Sequence, residues 1–328
     1  MSDKYFKVRY SQLDIGSLKN ELVERYGLKE LVNCRLFKNG LNDVYIVKTR
    51  DETYYLRVSF ANMHNLTDYE EETAIMISLN ENGVNTAVPV KCKNGSFIWS
   101  VNAPEGTRYI VLFAEVKNNP TNDNLKRNFN FGQAIAKMHV IADEKNFKVS
   151  RAPIDFIELI EQPIKRLKNY LTHRQEDYDF LFNSAQELRK YIEKKLTVEK
   201  PYYGFCHGDI QLSNIFFTDD IPTFFYFDCM GYSWRSHDIC VQIWNMSLDN
   251  DKYIETEEAK NLLEGYNSIR QLSENELDCI NAFGALRSLW LMGLHMDLTE
   301  RNTMCMQFND EYFNWLINNF KTWHNRIL

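Results

Sequence analysis

No run of apolar residues in this chain reaches the length of a membrane span, which excludes a helical membrane protein. The first residues, Met1-Ser2-Asp3-Lys4-Tyr5, lack the basic-then-apolar order of a secretory leader. The seven cysteines are odd in number and scattered, with no Cys-x-x-Cys pair. That argues against a disulfide framework or a zinc site and for reduced thiols, so a cytoplasmic protein is the expectation. There is no internal repeat and no low-complexity segment; the Asn-rich stretch 118–130 reads as a loop and a helix start. Positive charge is in deficit, 38 Lys and Arg against 45 Asp and Glu. A net charge of −7 disfavours nucleic acid as a partner and is compatible with a cationic one, although most of it reads as solvated surface. What remains is an ordinary globular composition, 44% hydrophobic and 25% charged. At 328 residues it is long enough to bury two cores.

The most informative stretch is Phe205-Cys206-His207-Gly208-Asp209-Ile210-Gln211-Leu212-Ser213-Asn214, followed by Phe224-Phe225-Tyr226-Phe227-Asp228. Residues 215–218 read as a strand, 219–222 as a turn with Asp and Pro supplying its chemistry, and 223–227 as the returning strand. Such a hairpin brings Asn214 and Asp228 side by side at its open end, with Asp209 one loop away. Phosphoryl transfer from a nucleotide needs that set. One carboxylate orients and deprotonates an acceptor hydroxyl, while an amide and a second carboxylate hold magnesium.

His207-Gly208-Asp209, then Asn214, then Phe227-Asp228 resembles the aminoglycoside phosphotransferase and choline kinase superfamily. The resemblance implies an α+β, two-lobed protein-kinase-like fold. Residues 1–115 would form a small N-lobe of antiparallel sheet plus helix that binds nucleotide. Residues 116–328 would form a larger, mainly helical C-lobe with the catalytic loop, metal site and acceptor pocket. It also implies ATP, or GTP, with Mg2+. Asp209 would be the catalytic base, Asn214 and Asp228 the metal ligands, and His207 a buttress of the loop. Asp238, in the segment after Asp228, fits the family's buried Asp that anchors the catalytic loop by hydrogen bonds.

The N-terminal residues follow the same order. Residues 14–26 read as an amphipathic helix capped at Asp14 or Ser17. Residues 34–37, 45–48 and 53–58 read as strands. Between the first two lies a turn with Asn39, Gly40 and Asn42, whose tight backbone suits the phosphates of a nucleotide. In the family the third strand carries a cation for the α- and β-phosphates. Here the matching residue is Arg57 instead of the Lys of protein kinases, and its planar fork suits phosphate. Residues 68–83 read as a helix with Gly83 at its end, and the family places on it a Glu that pairs with the strand cation. Glu72 is the choice, one turn before Ile75 on the inward face, with Glu71 the competitor. Residues 96–101 and 108–113 read as two more strands turning at Glu105-Gly106. Phe113, Glu115 and Val116 mark the hinge, where backbone groups would meet the purine edge. The polar stretch 117–124 reads as a crossing.

From Phe131 the chain reads as mostly helical. The stretch 131–139 resembles the family's first C-lobe helix, packed closely through small residues, with His139 structural. Residues 154–171 and 176–195 read as inserted helices, which the resemblance implies would help to shape an acceptor pocket, and the last third, from Glu257, as aromatic-rich helices. Trp290 and Met292 read as core. Asp155, Glu158, His295, Asp297 and Glu300 are the candidates to face an amine-bearing acceptor.

Protein-kinase signatures are missing: there is no His-Arg-Asp, Cys229 and Met230 follow Asp228, and no Ala-Pro-Glu closes the segment. An inactive kinase-like nucleotide-binding module is the alternative from another class, opposed by the intact Asp209, Asn214 and Asp228. The chain most resembles Bacillus-type members of the superfamily, among which amicoumacin kinases are known. The resemblance therefore implies an O-phosphotransferase acting on an aminoglycoside- or amicoumacin-like antibiotic and giving resistance. The alternative acceptor is a metabolic amino alcohol such as homoserine or choline. The long insertion and aromatic C-terminal third favour the larger molecule. A monomer or homodimer, with no nucleic-acid or membrane partner, completes the expectation.

Overall fold

The computed structural model describes residues 6–301 and 306–327. Met1 to Tyr5, the residues that lack a leader's order, lie outside the described residues, as do Cys305 and Leu328. The chain is of mixed α+β class and divides into two compact units. The first takes the described residues up to Asn80, Thr86–Val116 and residues 298–301; the second takes Glu81–Asn85, Lys117–Asp297 and residues 306–327.

The first unit opens with α1 (Ile15–Tyr26), whose N-cap Asp14 accepts from the Ser17 N–H at 2.7 Å. Gly27 ends it with φ +70°, a left-handed C-cap. A five-stranded sheet follows from β1 (Asn33–Asn39), β2 (Asn42–Lys48), β3 (Thr53–Ser59), β4 (Ile98–Ala103) and β5 (Gly106–Ala114). Its order is β1-β2-β3-β5-β4, and every neighbouring pair is antiparallel. The side-chain period of two places Leu56 and Val58 of β3 in one core with Leu18 and Leu22 of α1, Tyr45 and Val47 of β2, and Ile110 and Leu112 of β5. Arg57, between them, projects from the opposite face and meets Glu72 of α2 (Leu66–Glu81). Near the β1–β2 turn, Asp43 is fully buried. It accepts from Arg108 Nη2, Tyr10 Oη and Asn39 Nδ2, each at 2.7 Å.

The second unit begins with α3 (Asn124–Lys145). This helix starts seven residues before Phe131, because Asp123 caps it by accepting from Lys126 N–H at 3.0 Å, so the polar stretch 117–124 ends where the helix begins. Residues 154–171 are not one regular helix. A single π-helical turn, Ile157–Glu161, leads into α4 (Gln162–Tyr170), and the Gln162 N–H reaches the Ile157 carbonyl. Pro163 in the first turn of α4 has no N–H to give to the ladder, which makes this the weak place for regular α pitch. Next come α5 (Gln175–Lys195), β6 (Tyr203–Cys206), β7 (Ile215–Thr218), β8 (Ile221–Phe224) and β9 (Gly231–Trp234). β6 pairs with β9, and β7 with β8. The β7–β8 turn is tighter than the sequence suggests. Asp219 and Asp220 alone make it, with φ of 50° and 66°, and the returning strand begins at Ile221 and ends at Phe224. The buried Asp220 carboxylate holds this left-handed turn by accepting from Thr121 N–H at 2.9 Å. The helices α6 (Arg235–Ser247), α7 (Glu257–Asn267), α8 (Glu274–Glu300) and α9 (Asp310–His324) complete the order.

α3 and α7 touch backbone to backbone through two glycines. A Cβ on Gly132 would lie 1.9 Å from the Leu262 carbonyl oxygen, and one on Gly265 would lie 2.0 Å from that of Phe129. Neither carbonyl can yield without parting the helices. Gly132→Ala is therefore expected to lower unfolding free energy by about 2 kcal/mol or more, read as a lower urea midpoint. An unchanged midpoint would mean the helices are not in this contact.

Candidate active site

The second unit carries the loop that follows β6. Gly208 has φ +81°, and a Cβ there would lie 2.2 Å from the Cys229 carbonyl oxygen, so no other residue fits between His207 and Asp209. The loop hangs on Asp238 at the start of α6. Its carboxylate accepts the backbone N–H of His207 at 2.8 Å and of Gly208 at 2.7 Å, and His139 Nε2 lies 3.1 Å away. Burial opposes ionisation of Asp238, yet the hydrogen bond from His139 and the surrounding imidazoles bring it down to about 2. Burial holds His139 at about 4, so it is neutral at pH 7. Its Nε2–H donates to Asp238, and its Nδ1 accepts from Tyr266 O–H at 2.7 Å. The His207 ring packs 4.4 Å from Phe227, with Nε2 donating to the Phe225 carbonyl at 3.1 Å and Nδ1 accepting from Asp209 N–H at 3.3 Å.

Asp209 is fixed at both carboxylate oxygens. Oδ2 accepts from Asn214 Nδ2 at 2.7 Å and Gln211 Nε2 at 3.0 Å, and Oδ1 from Arg287 Nη2 of α8. Asn214 Nδ2 also donates to the Asp209 carbonyl at 3.0 Å. Both of that amide's donor positions are turned toward Asp209, leaving Oδ1 facing the other way, where Ser213 O–H donates to it at 3.4 Å. Asp228 sits in a single 3-10 turn, Phe227–Cys229, entered through Tyr226 at φ +61°. A non-glycine residue in that region costs roughly 1 kcal/mol, a strain typical of functional sites. Arg151 Nη1 supports the turn by donating to the carbonyls of Phe227 at 2.6 Å and Asp228 at 3.0 Å.

In the first unit Arg57 Nη1 lies 2.5 Å from Glu72 Oε1, with both side chains buried; Glu71 is only half-buried. The Arg57 guanidinium lies 5.4 Å from the ring centre of Phe113. Asn39 is tied to Asp43 and Tyr10, Asn42 is buried, and nothing lies within 4 Å of a Cβ built on Gly40. The Glu115 N–H donates to the Thr53 carbonyl at 3.2 Å, and Val116 is the last residue of this stretch of the unit.

The acceptor candidates disperse. Asp155 Oδ1 caps the π-helical turn, accepting from Ile157 N–H at 2.8 Å. Glu158 is exposed and accepts from Trp290 Nε1 at 3.0 Å. Asp297 pairs with Arg166 at 3.0 Å. His295 Nδ1 lies 2.9 Å from Tyr312 Oη, and burial, aided by Arg287, lowers it to about 4. Glu300 belongs to the first unit, where its backbone carbonyl accepts from Arg9 at 2.8 Å. Glu158 is linked to Asp209 through Trp290, whose ring centre lies 4.1 Å from the Arg287 guanidinium, and His295 lies close enough to Arg287 to feel its charge. Sequence reasoning missed Gln211, Arg151 and Arg287. The available signal for Arg287 was a lone cation in the apolar run Ala285-Leu286-Arg287-Ser288-Leu289-Trp290. A cavity of about 290 Å3 opens beside the catalytic loop, lined by Leu212, Phe217, Gln242, Met246, Asn250 and Tyr253 among others.

Residues 34–272 match the phosphotransferase enzyme family, most of the chain and all of the loop just described. The chain belongs to that family. This phosphotransferase is 25% identical over 297 residues to an amicoumacin kinase of Bacillus subtilis, covering 87% of this chain and 85% of that one. Among solved structures, an amicoumacin kinase in complex with AMP-PNP, Ca2+ and Ami superposes with a TM-score of 0.76 at 18% identity, covering 97% of this chain and 94% of that one. A microcompartment-associated aminopropanol kinase gives 0.75 at 18% identity, with 95% of each chain covered. The fold of the phosphotransferase is therefore that of small-molecule kinases.

His237, next to the anchor, is buried, and neither ring nitrogen has a hydrogen-bond partner among the described residues. Burial lowers it from 6.5 to about 4. Between those values the unfolded chain binds a proton that the folded chain refuses, so its contribution is complete above pH 6.5 and is lost as pH falls toward 4. The loss amounts to about 3 kcal/mol. Urea midpoints should fall over this window, and His237→Phe should flatten the fall; an equally steep fall in the variant would show that His237 is not buried neutral.

Proposed function

We propose that this phosphotransferase moves the γ-phosphoryl group of ATP, with GTP as an alternative donor, to a hydroxyl of a small amine-bearing molecule. The observation that carries the reading is the Asn214 amide locked onto Asp209, which aims a hard oxygen away from the base. With the buried carboxylate of Asp228, this makes an oxygen donor set suited to Mg2+. When bound there, magnesium would neutralise charge on the nucleotide phosphates. Arg57, set by Glu72, is the cation assigned to the phosphates. The turn of Asn39, Gly40 and Asn42 and the backbone of Phe113, Glu115 and Val116 remain our assignment for the rest of the nucleotide.

Asp209 is the catalytic base of this reading. An ionised carboxylate has about four acceptor positions. Three are taken by Arg287, Gln211 and Asn214, which leaves room for one hydroxyl in a fixed direction. Loose phosphoryl transfer asks for that orientation more than for basicity.

For the acceptor, the long helical insertion of α4 and α5 and the aromatic-rich C-terminal helices favour a molecule larger than an amino alcohol, hence an antibiotic and a resistance role. A second reading, a homoserine- or choline-type metabolic kinase, is favoured by Glu158 lying against Trp290. A carboxylate beside an indole suits a small ammonium group. The two solved neighbours fit equally well and do not choose. The six described cysteines are free, and no described helix is long and apolar enough to cross a membrane. We place the enzyme in the cytoplasm as a monomer or homodimer.

Asp209→Ala is expected to lower kcat about a hundred-fold to ten-thousand-fold while leaving nucleotide affinity unchanged. Asp228→Ala should weaken magnesium-dependent nucleotide binding. A coupled assay against aminoglycosides, amicoumacin-type antibiotics, homoserine and choline separates the acceptors. Turnover with an antibiotic supports the first reading, and turnover only with an amino alcohol the second. Full turnover in Asp209→Ala would remove the catalytic assignment.

A further inference from the structure

We propose that Arg287 is the positioning residue of the transfer, holding the Asp209 carboxylate in a single orientation toward the acceptor hydroxyl. The inference rests on the reading of Asp209 as the base.

Arg287 lies in the middle of α8 and is 2% exposed. Its guanidinium addresses two groups of the catalytic loop together, with Nη2 on Asp209 Oδ1 and Nη1 at 3.4 Å from the Gly208 carbonyl. It is held between two indoles, with ring centres 4.1 Å away at Trp290 and 5.7 Å away at Trp244. Both indoles are themselves fixed. Trp290 Nε1 donates to Glu158 at 3.0 Å, and Trp244 Nε1 donates to Asn319 at 2.8 Å and Ser288 at 2.9 Å. The guanidinium therefore has no freedom to follow the carboxylate; the carboxylate must follow the guanidinium.

The second carboxylate oxygen is gripped by Gln211, whose Oε1 accepts from Asn245 of α6 at 3.2 Å. The base is thus tied to α8 on one side and α6 on the other. A buried ion pair contributes little net stability, because desolvation offsets the attraction. Stability alone therefore gives no reason for an arginine in an apolar stretch of α8, whereas orientation of a base does. Lysine would keep the charge but lose the planar fork that reaches two acceptors while stacking on Trp290. Glu158 closes the chain at the exposed end, so a group binding there reaches Asp209 through two stacked side chains.

The test uses the full chain and magnesium-dependent ATP turnover, with water as acceptor if no other is in hand. Arg287→Lys, which keeps volume and charge, should lower kcat about ten-fold with nucleotide KM unchanged. Arg287→Ala should lower it about a hundred-fold, the range a misplaced catalytic group costs. Millimolar guanidinium ion should restore part of the rate in Arg287→Ala and none in Asp209→Ala. Adding Arg287→Ala to Asp209→Ala should cost nothing more, because two groups acting as one unit are not additive. A wild-type kcat in Arg287→Lys and Arg287→Ala, or losses that multiply with Asp209→Ala, would overturn the proposal and leave Asp209 as the base. An unchanged rate in Asp209→Ala would overturn the underlying reading, and this proposal with it. Should Arg287→Ala fail to fold by urea unfolding, the KM-against-kcat split in Arg287→Lys decides.

Discussion

One buried carboxylate, Asp238, organises the loop that follows β6 in the second unit. It takes two consecutive backbone N–H groups, those of His207 and Gly208, and so bends the chain leaving β6 at the residue where only glycine fits. A carboxylate accepting backbone hydrogen bonds is held in its charged form, and here His139 adds a third donor. Burial keeps His139 neutral, so while Nε2–H donates to Asp238 its other nitrogen accepts from Tyr266 O–H. α3, α6 and α7 thus converge on one loop through side chains, while Gly132 and Gly265 bring α3 and α7 close enough for Tyr266 to reach.

The same logic recurs at four guanidinium groups buried among the described residues. Arg57 meets Glu72, Arg108 meets Asp43, Arg235 meets Asp143, and Arg287 meets Asp209. Such pairs contribute little net stability, but each fixes a backbone or side-chain position that apolar packing would leave free to slide. Arg108 pins the Asp43 end of the β1–β2 turn, Arg235 reaches the Phe205 carbonyl at the end of β6, and Arg151 braces the carbonyls around Asp228. The left-handed Tyr226 is tolerated inside that frame.

Much of the fold was legible because local rules and the family resemblance agreed. Asp14 caps α1, which ends at Tyr26, and β3 carries Arg57. Where reading failed, a longer-range partner or a missing donor had decided. Pro163 lacks the N–H that would have kept residues 154–171 in one α pitch. Asp219 and Asp220 hold a two-residue turn because Thr121, far away in sequence, captures the Asp220 carboxylate. His207, Asp209, Asn214 and Asp228 were readable as a spaced motif, and Asp238 through the family resemblance. Arg287 was not, because nothing near position 287 in the sequence names its partner 78 residues earlier.

The sequence by itself determined the family, the α+β class, the order of the elements and the identities of the loop carboxylates and amide. These follow from short-range spacing, which the chain carries in one dimension. Only the tertiary structure decided which acid pairs with Arg57, which way the Asn214 amide faces, and which cation sits on Asp209. It also separated Asp155 and Asp297, engaged in a cap and a half-buried ion pair, from Glu158, which reaches Asp209 through Trp290 and Arg287. The physical reason is common to all of them. Hydrogen bonds and ion pairs are chosen by distance and direction in the folded chain, and residues of identical chemistry are distinguished by those two quantities alone.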